Sequence, residues 1–163
     1  MESYRVHLGR DDLVFCAAHF ITYGGGCCES LHGHNYRVSV TVEGDPDEHG
    51  LVVDFLVLRE IMEELVGRLD HRTLLPGESE EVEVRRTDGV VEARRGDAEY
   101  RFPAADVVVL PLDNTTAERI AAHLAARLVE ELEEAGAGDL RRIEMEVEES
   151  FGQSASVTLE PTR

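Results

Sequence analysis

The sequence contains no lysine and no tryptophan, so its 16 basic residues are all arginines. Against them stand 34 aspartates and glutamates, which give a formal net charge of −18 at pH 7. Contacts with a phosphate backbone need clustered cations, and this acidic balance therefore argues against a nucleic-acid partner. The same charge repels anions in general, so an anionic substrate would have to be met by local arginines or by a metal ion.

Long apolar runs are also missing from the sequence. No stretch is long enough to span a membrane, and no charged-then-apolar leader precedes the first strand-like pattern. The three cysteines, of which Cys27 and Cys28 are adjacent, are too few and too close to form a disulfide framework. We therefore expect a cytoplasmic protein in a reducing compartment, with no membrane partner.

The composition, with 42% hydrophobic and 31% charged residues, is that of a folded protein, and the length suits one domain over residues 1–163. Two helix N-caps are predicted. The first is Asp54, and the second is Thr115, which has Glu118 at capping-box spacing. Periodicity predicts strands over residues 4–20 and 35–43, a helix after Asp54, a β-hairpin over residues 81–94 with an Asp-Gly turn, a helix from residue 113, and strands over residues 143–148 and 154–159. This order is typical of an α+β fold with an antiparallel sheet and helices on one face.

Residues 15–36, FCAAHFITYGGGCCESLHGHNY, hold three of the seven histidines and all the cysteines. His32 and His34 are two residues apart, so on a strand both side chains lie on one face. A return through the glycines at 24–26 would bring His19 beside them. Three imidazoles from adjacent strands form a zinc site with one open coordination position, as in catalytic zinc enzymes. Iron, cobalt or nickel would also accept these ligands.

Cys28 and Glu29 stand just before the histidine pair, and either side chain is suited to moving a proton at a metal-bound substrate. The pattern from Cys28 to His34, Cys-x-x-x-His-Gly-His, resembles the signature of the 6-pyruvoyltetrahydropterin synthase and 6-carboxytetrahydropterin synthase family. Further segments similar to that family are Val-x-Asp-Phe at residues 52–55, Leu-Asp-His at 69–71, Asn-x-Thr-x-Glu at 114–118 and Glu-Ser at 149–150. The resemblance covers essentially the whole chain except residues 76–110, which are an insertion relative to shorter members.

The resemblance implies the tunnelling fold, with an antiparallel four-stranded sheet, two helices on one face and an inserted β-hairpin. In that fold the subunits join their sheets into a barrel, and the active sites lie between subunits. A homo-oligomer is therefore expected, with a hexamer of two trimers favoured. The inserted hairpin is expected at the surface or at an interface, and an effect on assembly is a hypothesis.

The family's site roles carry over to matching positions. The implied cofactor is Zn²⁺ held by His19, His32 and His34, and the implied substrate is 7,8-dihydroneopterin triphosphate. Cys28, as a thiolate, would be the general base, with Asp70 and His71 as its proton relay.

Pterin binding is implied for two further residues. Glu149 would accept hydrogen bonds from the pterin amino group and ring N–H, because one carboxylate can accept from both. Thr116 would lie near the pterin. A slip of one residue in the strand would exchange Glu149 for Glu148.

The product is indicated by Cys28 and Glu29 together. Members that form 6-carboxy-5,6,7,8-tetrahydropterin, in queuosine synthesis, carry the cysteine at this spacing, and a subgroup that forms 6-hydroxymethyldihydropterin for folate carries a glutamate at the position of Glu29. We therefore expect a carbon–carbon lyase that makes the first product through Cys28 and, as a dual-function enzyme, the second through Glu29. The alternatives are a 6-pyruvoyltetrahydropterin synthase, a three-histidine zinc hydrolase unrelated to pterins, and a non-catalytic metal- or pterin-binding module.

Overall fold

A computed structural model of the protein describes residues 2–24, 27–137 and 140–161, without the side chains of residues 10–12. Within these ranges the secondary structure, apart from a 3-10 turn at Ala104–Asp106, consists of strands and two α-helices. In chain order they are β1 (Tyr4–His19), β2 (Thr22–Tyr23), β3 (Cys27–Cys28), β4 (His32–Gly44), α1 (Phe55–Gly67), β5 (Arg72–Pro76), β6 (Glu83–Thr87), β7 (Val90–Arg95), β8 (Ala98–Pro103), β9 (Val107–Leu110), α2 (Ala117–Glu134), β10 (Leu140–Ser150) and β11 (Gln153–Leu159).

The main sheet has six strands in the order β11-β10-β4-β1-β5-β9. Its first four strands are antiparallel neighbours, as predicted. The prediction of a four-stranded sheet is nevertheless wrong, because β5 and β9 extend the sheet beyond β1 and run parallel to it. These strands are short apolar runs without alternation, as is usual for parallel strands, and a search for period-two patterns does not detect them.

Both helices cover one face of the main sheet. α1 packs on β1, α2 packs on β10 and β11, and the helices touch each other. The apolar residues at helical spacing along α2 are buried: Ile120, Leu124, Leu128 and Leu132. The apolar residues at the same spacing on and just after α1, Leu58, Met62, Leu65 and Leu69, are also buried, whereas Phe55 is 55% exposed. No helix in the described ranges has the length and apolar character required to cross a membrane.

β1 is continuous through residues 9–12, although Gly9-Arg10-Asp11-Asp12 is a turn-like sequence. The pairing of β1 with β4 instead shifts register between Gly9, opposite Ser39, and Val14, opposite Arg37. Extra residues on one strand of a pair form a bulge, which bends the strand without ending it. The polar segment therefore interrupts the pairing rather than the strand.

The helix N-termini follow the predictions in part. Asp54 caps α1, and its carboxylate accepts the backbone N–H of Leu56 at 2.7 Å. The cap of α2 is Thr116 rather than Thr115, because the Thr116 hydroxyl accepts the backbone N–H of Arg119. Thr115 is instead completely buried beside the end of β1.

A second sheet of three strands, β6-β7-β8, lies between β5 and β9 in the chain. β6 and β7 form the predicted hairpin, and Gly89 in its turn has a φ of +75°, a conformation that favours glycine. β8 pairs with β7 as a third strand. Residues 107–110 belong to the main sheet as β9, so this inserted sheet spans residues 83–103.

The burial of His123 on α2 can be tested through the pH dependence of the free energy of unfolding. Burial lowers its pKa below the ordinary value of 6.5. The unfolded chain therefore takes up a proton at a higher pH than the folded one, and the free energy of unfolding should fall as the pH drops from about 6.5 towards the lowered pKa. We expect His123→Gln to flatten this decline in urea unfolding followed by circular dichroism between pH 7.5 and 5. His49→Gln, in an exposed loop, is the control, and equal slopes in all three proteins would contradict the prediction.

Candidate metal centre

The three histidines predicted to bind metal converge at the end of the β1–β4 pair. His19 lies directly opposite His32 in the antiparallel ladder, and Ala17 lies opposite His34. The imidazole centroids are 4.8 Å apart for His19 and His32, 5.3 Å for His19 and His34, and 4.8 Å for His32 and His34. Gly33 fits between the two β4 histidines, where an added Cβ would lie only 3.1 Å from the carbonyl oxygen of Ala17.

The period of two along each strand explains why these rings share a face. His19 follows Leu13, Phe15 and Ala17 on the side of β1 that faces the core, and it is only 1% exposed. His32 and His34 continue the same side of β4 as Tyr36 and Val38. The glycines expected to make the return to His32 lie partly outside the described residues, but the β2–β3 pairing shows a reversal there, with Thr22 opposite Cys28.

Backbone carbonyls fix the orientation of two of the rings. The Nδ1–H of His19 donates to Thr115 O at 2.8 Å, and the Nδ1–H of His32 donates to Ser30 O at 2.8 Å. A carbonyl can only accept, so in the neutral rings Nε2 carries a lone pair. Burial also lowers the pKa of His19, which favours this neutral form. Outer hydrogen bonds of this kind are typical of metal-binding histidines.

Glu149 joins the histidines at the same point. Its Oε1 lies 3.0 Å from His19 Nε2 and 3.3 Å from His34 Nε2. Glu149 follows Val147 on the core side of β10, whereas Glu148 lies on the opposite side, 3.8 Å from Arg37. The register therefore places Glu149, and not its neighbour, at the site.

The four side chains are chemically incomplete without a cation. One ligand atom from each of His19, His32, His34 and Glu149 lies within 4.8 Å of the others. The Nε2 of His34 is buried and makes no hydrogen bond with any described residue. Converging lone pairs and a carboxylate repel one another unless protons or a metal ion offset them. Neutral imidazoles with a carboxylate match the donor preference of Zn²⁺, so these residues fit the predicted ion.

Tyr36 and Thr115 also contribute to the site, although neither was predicted to lie there. The Tyr36 hydroxyl lies 3.1 Å from His19 Nε2 and 3.3 Å from Glu149 Oε1. Burial raises the pKa of Tyr36, so the hydroxyl keeps its proton and can donate it to these acceptors. The Thr115 hydroxyl donates to Phe20 O at 3.0 Å. Tyr36 was detectable, since it continues the period of His32 and His34, whereas Thr115 comes from a distant part of the chain.

Cys28 and Glu29 lie beside the histidines on the segment that enters β4. A carboxylate oxygen of Glu29 is 3.6 Å from His32 Nε2. The Tyr23 hydroxyl donates to the other oxygen of Glu29, and this bond raises the pKa of Tyr23. The Cys28 thiol is half-buried and lies 3.5 Å from Glu29 O. Glu29 is therefore at the cluster, and Cys28 is the residue before it in the chain.

Asp70 and His71 form a hydrogen-bonded pair in the turn before β5, beside Cys16 of β1. His71 Nδ1 lies 2.8 Å from an Asp70 oxygen, and the other Asp70 oxygen accepts the backbone N–H of Cys16 at 2.8 Å. This backbone hydrogen bond, followed by the contact with His71, lowers the pKa of Asp70. His71 has a φ of +56°, and its side chain is 79% exposed. Among the described residues of one chain, no hydrogen bond or ion pair joins either member of the pair to Cys28.

The chain is similar to known proteins along almost its whole length. The profile of the family described as 6-pyruvoyl tetrahydropterin synthase matches residues 10–160. A Methanocaldococcus jannaschii protein with the provisional name 6-carboxy-5,6,7,8-tetrahydropterin synthase is 33% identical over 156 residues, which cover 95% of this chain and 93% of that protein. The 6-carboxy-5,6,7,8-tetrahydropterin synthase of Bacillus subtilis is 42% identical over 65 residues, covering 39% and 42% of the two chains. The solved 6-pyruvoyl tetrahydropterin synthase of Plasmodium falciparum superposes with a TM-score of 0.90 at 32% identity, covering 99% of this chain and all of the other.

Metal binding is directly testable. We expect the metal-stripped protein to bind one Zn²⁺ per chain in a chelator-competition titration. Loss of an outer hydrogen-bond partner typically weakens metal binding by about 10–100-fold, so removal of a ligand in His32→Ala or His34→Ala should weaken it further. His49→Ala is the matched control, because the His49 side chain is 74% exposed in a loop. Equal zinc affinity in all three variants would overturn the assignment.

Proposed function

This chain belongs to the 6-pyruvoyl tetrahydropterin synthase family, and from that premise we propose that it is a zinc-dependent pterin lyase acting on 7,8-dihydroneopterin triphosphate. The proposed main product is 6-carboxy-5,6,7,8-tetrahydropterin, the product named for the Methanocaldococcus jannaschii and Bacillus subtilis relatives. The convergence of His19, His32 and His34, with Glu29 3.6 Å from His32 Nε2 and Cys28 next to Glu29 in the chain, is the observation that carries the proposal. Queuosine synthesis is the proposed pathway, and the cytoplasm is the proposed location.

The metal ion supplies Lewis acidity towards the hydroxyls of the substrate side chain when it is bound by His19, His32 and His34. Cys28, as a thiolate, removes a proton from the side-chain carbon next to these hydroxyls. Triphosphate elimination and cleavage of the side chain follow from that proton transfer. The half-buried position of Cys28 at the end of β3 supports this role, since the thiol has access to solvent and lies four residues before His32, the first residue of β4.

Asp70 and His71 are proposed to relay the proton taken by Cys28. Asp70 holds His71 through Nδ1 and leaves Nε2 free to exchange a proton. Because the pair is exposed and no hydrogen bond or ion pair joins it to Cys28 among the described residues of one chain, we propose that it serves a second subunit. This arrangement requires a homo-oligomer with active sites between subunits, and a hexamer of two trimers is the proposed assembly.

Glu149 is proposed to hold the pterin ring and Thr116 to lie near it. The carboxylate of Glu149 is 27% exposed at the edge of the cluster, so it is accessible to a ligand as well as to the histidines. Thr116 begins α2 next to Thr115, whose carbonyl receives His19. Glu149 thus contacts the histidines directly, and Thr116 is adjacent in the chain to a residue that does.

A second product is favoured by one contact. Glu29 lies 3.6 Å from His32 Nε2, within reach of a substrate bound at the same metal ion. We propose that Glu29 supports formation of 6-hydroxymethyldihydropterin, a folate precursor, alongside the Cys28-dependent reaction. Formation of a 6-pyruvoyl product is the alternative within the family.

The proposal that Cys28 and Glu29 support different products, a division of labour between the two side chains, is testable by product analysis. Cys28→Ala should lower formation of the 6-carboxy product by about 10²–10⁴-fold, the usual contribution of a general base, and spare the 6-hydroxymethyl product. Glu29→Ala should have the reverse effect. Zinc-loaded variants would be incubated with 7,8-dihydroneopterin triphosphate and the products separated by mass, with Cys27→Ala as the control at the adjacent exposed thiol. If both variants lose all products together, the division of labour is wrong.

Glu149→Gln separates pterin binding from metal binding. The substitution keeps the size of the side chain but replaces the charged carboxylate, whose oxygens would accept hydrogen bonds from the pterin N–H groups, with a neutral amide. Since a hydrogen bond to a charged group contributes about 1.5–3 kcal/mol, KM should rise about 10-fold or more. Zinc affinity should change far less than in His32→Ala. A loss of zinc affinity as large as that of the histidine variant would make Glu149 a metal ligand instead.

A further inference from the structure

The inserted sheet β6-β7-β8 packs against the site instead of projecting from the surface. One of its faces contributes to a second apolar core, separate from the core beneath the helices. Val91 and Ala93 of β7 are buried there against Phe20, the residue that follows His19. Cys28 and Leu31 pack on the same core. The inserted sheet and the segment that carries Cys28 and Glu29 therefore share one apolar cluster.

Arg95, the last residue of β7, makes a polar contact between the inserted sheet and the segment that carries Cys28 and Glu29. Its Nη1 donates to the carbonyl oxygen of Glu29 at 3.1 Å. Its guanidinium carbon lies 5.8 Å from the centroid of the Phe20 ring, and that ring stacks on Tyr100 of β8 with centroids 5.3 Å apart. The guanidinium group of Arg95 thus packs on the face of the Phe20 ring and also donates a hydrogen bond to the main chain at Glu29.

Besides Arg95 and the apolar core, the segment over residues 27–31 is held by the Tyr23 hydroxyl on the Glu29 carboxylate, by the His32 Nδ1–H on Ser30 O, and by short main-chain pairing. β2 and β3 pair over only two residues each, and beyond them the Glu29 backbone N–H donates to Ile21 O at 3.0 Å. Residues 29 and 30 lie in no strand. Short ladders with exposed hydrogen bonds open easily, so contacts from outside the segment determine where the Cys28 thiol and the Glu29 carboxylate lie.

We propose that the inserted sheet holds this segment in its working position and that Arg95 is the positioning residue through which it acts. Arg95 does not touch the histidines. It restrains the main chain at Glu29, and so sets the distance of two proton-transfer groups from the metal centre. A displacement of about 1 Å at such groups is enough to slow a reaction by about 100-fold. The kinetic consequence rests on the function proposed above, whereas the restraint itself does not.

The experiment compares Arg95→Met, Arg95→Lys and Arg94→Met in the zinc-loaded full-length protein. Methionine keeps an apolar chain over Phe20 but cannot donate to Glu29 O, and lysine restores a donor. Arg94 is the control, since it is the adjacent arginine and its side chain is exposed. Hydrogen exchange of the peptide over residues 27–31 reports on the restraint, and kcat and KM with 7,8-dihydroneopterin triphosphate report on its consequence.

We expect Arg95→Met to speed exchange over residues 27–31 and to lower kcat about 10–100-fold, with KM changed less than about threefold and zinc content unchanged. Arg95→Lys should recover most of both effects, and Arg94→Met should match the wild type. Unchanged exchange in Arg95→Met would overturn the proposal. So would a rise in KM at constant kcat, which would make Arg95 a contact for the substrate phosphates. If the wild-type protein turns over no pterin, the proposed function fails, and the exchange result alone still decides whether Arg95 positions the segment.

Discussion

The convergence of three imidazole nitrogens and one carboxylate oxygen is the constraint on which the rest of this structure depends. The Nε2 atoms of His19 and His32 are acceptors in the neutral rings, as is the Glu149 carboxylate. They meet beside the buried Nε2 of His34, which lies 3.3 Å from Glu149 Oε1 but makes no hydrogen bond with any described residue. Such a group is costly unless a cation sits among them. Neighbouring backbone groups orient the histidine rings so that this requirement is met. Carbonyls from the start of α2 and from the loop before β4 take the Nδ1 protons, so the lone pairs point inward.

Most of this centre was predictable from local patterns. The spacing of His32 and His34 and the alternation along β4 require both rings to share the face of Val38, because side chains on a strand alternate with period two. The resemblance added Glu149, and the register of β10 places it, rather than Glu148, at the site. The roles of Cys28, Asp70 and His71 in proton transfer remain predictions, because among the described residues of one chain no hydrogen bond or ion pair joins the pair to the thiol.

The features that escaped prediction depend on contacts between distant parts of the chain. β5 and β9 have no alternation, so their place beside β1 follows from tertiary pairing alone. Thr115 precedes a helix by pattern, but its burial against Phe20 results from the way α2 meets the end of β1. The inserted hairpin was predicted from its Asp-Gly turn. Its packing against Cys28 was not, because short-range periodicity does not specify which surface a sheet covers.

Tyr36 gives the protein a built-in optical probe. The chain has no tryptophan and only four tyrosines, so tyrosine rings dominate its near-ultraviolet absorption and circular dichroism. Among them Tyr36 is completely buried, stacks on Phe15 with centroids 4.7 Å apart, and directs its hydroxyl at His19 and Glu149. A rigid, asymmetric aromatic environment gives a strong dichroic signal. The state of the metal centre is therefore readable from the unlabelled protein, without a chromophoric metal or an added dye.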